Sequence, residues 1–263
     1  MTIPVKRPVV RMLNKVPEVT LVFWIIKIMS TTVGETGADY LAVHVGLGTA
    51  ITGALMSSLL IAALLLQLRS RGYVPWIYWL TVVLVSVVGT QITDALTDGL
   101  GVSLYVSTAC FGVALATTFA FWYRIERTLS IHTIVTRRRE LFYWAAILFT
   151  FALGTAAGDL ATEALGLGFT LGVVSFGAII AVIAGARYLG ANPVLTFWLA
   201  YILTRPLGAS LGDLLSQART YGGLGLGNVQ TSVVFLSVIV ALVLFVSLGD
   251  DRSTQRVGAG DET

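Results

Sequence analysis

The 263-residue chain is 56% hydrophobic and only 12% charged, with a mean hydropathy of +0.85. A soluble domain is about a quarter charged, so this composition excludes one and predicts a polytopic membrane protein. One cysteine and two histidines exclude a disulfide framework, a cysteine-based metal site within one chain and an imidazole cluster. The net charge of +3 does not indicate a nucleic-acid partner, because the basic residues lie at helix ends, as membrane topology requires.

Eight apolar segments follow one another along the chain, and each is about long enough to cross the hydrocarbon layer as a helix. The predicted helices are 17–42, 48–68, 74–98, 103–123, 141–164, 169–188, 193–217 and 228–248. They divide the chain into a basic N-terminus (1–15), two halves of four helices (16–123 and 141–248), a charged linker (124–140) and a disordered tail (249–263). The fold class predicted is therefore an all-α integral membrane bundle.

An internal repeat underlies these segments. Four aromatic–tryptophan pairs occur, and a glycine stands ten residues and an aspartate fifteen residues after each tryptophan. The four sets are Trp24, Gly34 and Asp39; Trp79, Gly89 and Asp94; Trp144, Gly154 and Asp159; and Trp198, Gly208 and Asp213. A Gly-Leu-Gly turn signal follows in every unit. The chain therefore contains four units of two helices each.

The basic residues set the expected topology. Fourteen of the 17 lysines and arginines lie before the first helix, after the last, or in the links that follow helices 2, 4 and 6. The positive-inside rule then places both termini in the cytoplasm. All four helix pairs would share one orientation and would be direct repeats about an axis along the membrane normal.

Seven acidic residues lie in the second halves of the odd-numbered helices. Inserting a carboxylate into the membrane at such a position costs on the order of 2–3 kcal/mol of free energy. Each repeat aspartate lies about 22 Å along the helix from its tryptophan, which places it in the outer half of the membrane. Three pairs of these acids are four residues apart, hence on one helical face. Thr90 and Thr155 occupy the position of Glu35 in their own units. These faces predict an acidic, hydroxyl-lined vestibule that opens outward.

Two basic residues lie within the predicted spans. Lys27 is three residues past Trp24, where it either snorkels to the cytoplasmic surface or serves the site. Arg205 is close to mid-membrane, and Pro206 after it predicts a kinked or broken helix. An aspartate from another helix is the expected partner of Arg205.

Clustered carboxylates either take up protons or bind a cation, and oxygen-only ligands favour hard ions such as Mg²⁺, Mn²⁺ or Ca²⁺. The sequence therefore predicts a transporter of a hard divalent cation, with proton coupling as a further expectation. The predicted metal ligands are Asp39, Asp94, Asp159, Asp213 and Glu35. The predicted substrate or coupling residues are Arg205, as a counter-charge or an anion-binding group, with Lys27, Thr90, Thr155, Glu163 and Asp98.

Three alternatives stay open at this point. The protein could move a small organic solute with the carboxylates carrying coupling protons, or it could be a membrane sensor or scaffold. The acids could also simply be solvated at the interface, an explanation that applies first to Asp98 and Glu163. An enzyme and a bound cofactor are not expected, because no nucleophile–base pair or cofactor motif is present. The expected partners are the lipid bilayer and a small cation or solute, and a homo-oligomer is left open.

The four tandem two-helix units, each with its tryptophan, resemble a bacterial family known only as a membrane repeat of unknown function, whose members are described as uncharacterised membrane-anchored proteins. The resemblance covers residues 14–248 and implies the repeat architecture and a bacterial inner-membrane location. It implies no substrate and no site residue. The fourth unit departs from the others. Arg205-Pro206 stands where they have Thr-Thr, Ser-Val or Phe-Ala, Ala209 stands where they have Glu or Thr, and Gln217 stands where units 2 and 3 have an acid.

Overall fold

The structure, a computed structural model, describes the backbone of residues 14–40 and 48–259 and the side chains of these residues except 38, 39 and 249–259. Secondary structure in the described residues is helical. The eight α-helices are α1 (Leu21–Asp39), α2 (Gly48–Arg69), α3 (Pro75–Asp94), α4 (Leu104–Glu126), α5 (Arg137–Asp159), α6 (Gly168–Tyr188), α7 (Pro193–Ser216) and α8 (Asn228–Ala259).

The odd-numbered helices form an inner ring. Helix α1 packs on α3, α3 on α5, α5 on α7, and α7 back on α1. The even-numbered helices lie outside, and each packs on the inner helix of the next unit: α2 on α3, α4 on α5, α6 on α7, and α8 on α1. We call the end of the ring where the odd helices begin the basic end, and the end where they finish the acidic end.

Within the described residues, seven helices are long and apolar enough to cross a membrane, and α1 is not among them. The expectation of eight apolar spans is therefore met by seven of the described helices. The second half of α1 carries a run of serine and threonine, residues 30–32, followed by Glu35. These side chains are buried against neighbouring helices. For example, Thr32 Oγ1 donates to the Gly208 carbonyl at 3.0 Å, a type of contact that holds helices together in an apolar environment.

The repeat glycines make the closest contacts between the inner helices. A Cβ added at Gly34 would strike Ser86, one at Gly89 would strike Phe151, one at Gly154 would strike Arg205, and one at Gly208 would strike Thr31. Each struck residue stands seven positions after the tryptophan of the next unit around the ring. The repeat glycines therefore allow close helix packing, which is the role that the contacts assign to them.

Three details differ from the sequence-based expectations. Helices α3 and α5 end in a π-helical turn, at Ala95–Gly99 and Leu160–Ala164. A π turn has more residues than an α turn, so the second acid of each pair does not repeat the position of the first. Helix α7 runs unbroken through Pro206. Helix α8 continues to Ala259, so helical backbone covers most of the segment expected to be disordered, as an established helix extends at little cost.

The basic end of the ring is closed by aromatic side chains and by the segment before α1. Phe23, Trp79 and Tyr201 are buried in one cluster with other rings of the inner helices. Beneath the cluster, Lys15 Nζ lies 2.5 Å from Glu140 Oε2 at the start of α5, and both residues are buried. The acidic end carries no comparable aromatic cluster in the described core.

Candidate site around Arg205

A single buried guanidinium lies between the four inner helices. Arg205 has no solvent-exposed surface. Its Nη2 donates to Glu35 Oε2 at 2.6 Å, to Thr155 Oγ1 at 2.8 Å and to Thr90 Oγ1. Its Nη1 donates to the Thr31 carbonyl at 2.9 Å, and its Nε donates to Thr155 Oγ1 at 3.1 Å. The guanidinium thus sits in a cage of oxygen atoms from α1, α3 and α5.

The repeat explains how this cage is assembled. Glu35, Thr90 and Thr155 each stand eleven residues after their own tryptophan, so equivalent positions of three units meet around the side chain of the fourth. The hydroxyls of Thr90 and Thr155 donate to the carbonyls four residues earlier, at 3.1 and 3.0 Å. Because their protons are used in this way, their lone pairs are presented to the guanidinium. Gly154 allows Arg205 to pass closely along α5.

The partner of Arg205 is Glu35, and the expectation of an aspartate was wrong. The repeat aspartates stand one helical turn beyond Glu35, about 6 Å further along the axis. Glu35 therefore lies at the same height in the bundle as the guanidinium of Arg205. A charge-assisted pair of this geometry is among the stronger hydrogen bonds in proteins. Because the pair is buried, removing one of the two side chains would leave the other charge buried without a partner, which is strongly destabilising.

Further acids lie beyond the cage, toward the acidic end. Asp159 interacts electrostatically with Glu35, Asp213 and Glu163, and with the opposite sign with Arg205. Asp159 thus interacts with three other carboxylates and one guanidinium, an arrangement that favours the uptake of a proton or a cation. Asp213 is buried.

The remaining acids are less central or lie outside the described side chains. Asp94 is half-buried, while Asp98 and Glu163 are exposed, as expected of acids solvated at a helix end. The side chain of Asp39 lies outside the described residues. Among the side chains that the structure describes, there is no group of three His, Cys, Asp or Glu placed to hold a metal ion.

Lys27 does not snorkel to the surface. Its side chain is fully buried, and Nζ lies 4.0 Å from the ring centroid of Phe151 and 4.3 Å from that of Tyr201. The described residues offer this amine no hydrogen-bond partner. Arg205 approaches the same Phe151 ring, with 5.9 Å from Cζ to the centroid. Lys27 and Arg205 therefore both approach the ring of Phe151.

Sequence reasoning missed a group of buried tyrosines next to this site. The hydroxyls of Tyr78 and Tyr143 are hydrogen-bonded to each other at 2.5 Å. Both residues directly precede a repeat tryptophan, a position that units 1 and 4 fill with phenylalanine. That difference between units was the only available signal, since a buried phenol and a buried phenylalanine give the same hydrophobic pattern.

The helical bundle, its apolar spans and its buried polar centre define a multi-pass α-helical membrane protein built of repeats. The chain belongs to the family Repeat of Unknown Function (DUF347), whose model matches four times in tandem, at residues 22–73, 77–128, 142–190 and 196–248. This finding confirms the resemblance seen in the sequence, and the matched units coincide with the tryptophan repeats. No curated protein and no solved structure matches the chain.

Proposed function

We propose that the protein is a bacterial inner-membrane transporter that moves a small cation in exchange for, or together with, protons. A hard divalent metal ion is the substrate class that oxygen-only side chains favour. The observation that supports this proposal most is that Asp159 lies within electrostatic range of Glu35, of Asp213 and of the buried Arg205, which is paired with Glu35. Carboxylates are retained inside membrane proteins where ions or protons pass.

The proposed orientation places the basic end in the cytoplasm, with both termini, and the acidic end outside. The distribution of lysine and arginine supports it. The cyclic order of helix contacts supports a pseudo-fourfold arrangement about the membrane normal. In this arrangement α1 is an eighth span, shielded from lipid by α8 and by its inner neighbours.

The central ion pair links cation binding to a conformational change. Glu35 is bound to Arg205, so a cation or a proton that arrives at the acidic cluster competes with the guanidinium for this carboxylate. When Glu35 is neutralised, the cage formed by the described residues has no charged partner for Arg205, and the guanidinium is drawn toward the carboxylates of Asp159 and Asp213. The closed aromatic cluster at the basic end fits a state in which the cytoplasmic side is shut.

We expect Asp159→Asn to weaken the binding of Mn²⁺ to the purified protein by at least about tenfold, because the substitution neutralises a half-buried carboxylate that interacts with the neighbouring acids. Asp98→Asn is the matched control, since this acid is exposed and should change the affinity little. Isothermal titration with Mn²⁺, followed by uptake of Mn²⁺ into proteoliposomes, makes the comparison. Equal affinity of the Asp159→Asn variant and the wild type would contradict the proposal, and an absence of any Mn²⁺ binding would favour the organic-solute or scaffold alternatives.

A further inference from the structure

The amine of Lys27 is a buried polar group that the fold does not satisfy. It lies between the rings of Phe151 and Tyr201 and has no hydrogen-bond partner among the described residues. Aromatic rings offset part of the cost of burying an ammonium, whereas an apolar side chain of the same shape would avoid that cost altogether. A basic group placed in this way points to a role beyond packing.

A series of buried phenols leads from Lys27 toward the basic end. The ring of Tyr201 contacts Lys27, and its hydroxyl has no partner among the described residues. Tyr201 lies within electrostatic range of both Tyr143 and Tyr78, and the hydroxyls of those two are joined at 2.5 Å. The ring of Tyr78 in turn contacts that of Tyr73, 5.7 Å between centroids, in the link that precedes α3.

Within the part of the chain that the structure describes, few charged or titratable groups surround Lys27. Arg205 repels it from α7, and Glu35 stands two helical turns further along α1. The phenol in contact with Lys27 is Tyr201 on α7. Tyr143 on α5 and Tyr78 on α3 lie within electrostatic range of Tyr201. Helix α5 contributes the uncharged ring of Phe151 to the surroundings of the amine.

We propose that Lys27 and the hydroxyls of Tyr201, Tyr143 and Tyr78 form a proton path between the Arg205–Glu35 site and the basic end of the bundle. This inference rests on the proposed transport function and names the route of its coupling proton. The carboxylic acid of Glu35 gives its proton, through water admitted when Arg205 moves, to the amine of Lys27. The ammonium passes one proton to the Tyr201 oxygen while the hydroxyl proton of that residue moves on. Each phenol in turn accepts one proton and releases one, so that only a proton crosses.

The decisive variant is the double substitution Tyr78→Phe and Tyr143→Phe. It removes both partners of one hydrogen bond, so neither hydroxyl is left buried alone, and the rings that close the bundle are retained. We expect proton movement into proteoliposomes, driven by a Mn²⁺ gradient and followed with a pH-sensitive dye, to fall at least about tenfold. The affinity for Mn²⁺ should stay unchanged. Tyr105→Phe, which alters an exposed tyrosine of α4, is the matched control.

Lys27→Met separates a proton carrier from a packing residue. Because methionine fills similar space without a polar group, the variant should unfold at a temperature equal to or above that of the wild type while its proton movement is lost. A clearly lower unfolding temperature of Lys27→Met, or unchanged proton movement in either variant, would overturn the path. Mn²⁺ transport by the wild type without proton movement would overturn the path and the proton coupling, and would leave only the proposed cation transport standing. A wild type that neither binds nor moves Mn²⁺ would overturn both.

Discussion

Arg205→Met is expected to lower the free energy of unfolding by about 3–5 kcal/mol. The substitution removes the guanidinium from a site with no exposed surface and leaves the Glu35 carboxylate buried without its partner at 2.6 Å. The hydroxyls of Thr90 and Thr155 lose their donor in the same step. The measurement is unfolding in detergent micelles, followed by the fluorescence of the tryptophans in the inner ring.

Two variants make this prediction specific. The double substitution Glu35→Gln and Arg205→Met should recover part of the lost stability, since no buried charge is then left unpaired. Arg187→Met removes an exposed arginine at the end of α6, and its effect should stay within about 0.5 kcal/mol. A small loss in Arg205→Met, or no recovery in the double variant, would mean that the ion pair does not hold the inner ring together.

Gly154→Ala is expected to destabilise the bundle by about 1–3 kcal/mol through overpacking. The added methyl carbon would lie 2.5 Å from Cβ and Cγ of Arg205 and 3.1 Å from Cδ of Pro206. Cβ and Cγ of Arg205 are close to the backbone, and the proline ring is rigid, so neither can rotate away from the added methyl group. Helices α5 and α7 must therefore move apart. The separation would also pull Arg205 away from Thr155, and transport should fall together with stability.

Gly53→Ala is the control for the glycine prediction. Gly53 lies in the interior of α2, and a Cβ at this position meets nothing within 4 Å. Alanine should therefore stabilise this helix by about 0.5–1 kcal/mol. Thermal unfolding of both variants under identical conditions gives the comparison, and similar effects at Gly154 and Gly53 would contradict the close-packing role of the repeat glycine.

The repeat arithmetic predicted the helices and the residues that share a level, because equal distances from each tryptophan give equal heights along equivalent helices. It therefore placed Thr90 and Thr155 at the level of Glu35, and the structure brings these three residues together around Arg205. Spacing along one helix does not give the rotation of a helix about its own axis or its neighbours around the ring. The partner of Arg205, which differed from expectation, and the burial of Lys27, which the sequence left open, both depend on that rotation.

Local backbone geometry accounts for another part of what the sequence did not predict. The assignment of Asp98 and Glu163 to the faces of Asp94 and Asp159 assumed α-helical spacing, and the π turns at those helix ends break it. The unbroken course of α7 through Pro206 has a packing cause, since Gly154 and Gly158 bring α5 directly against the proline ring. Such support comes from a neighbouring helix and is invisible in the sequence of α7 alone.

The packing of each outer helix on the next unit has a consequence for biosynthesis. Among the eight helices, α1 leaves the ribosome before the others and, within the described residues, is not long and apolar enough to cross a membrane, yet two of its neighbours, α7 and α8, are made after the other six helices. Until then α1 has α3 as its inner partner, with Lys27 and Glu35 not yet enclosed. The stable packing of α1 therefore depends on α7 and α8, and products truncated before α7 should be recognised and degraded by membrane proteases.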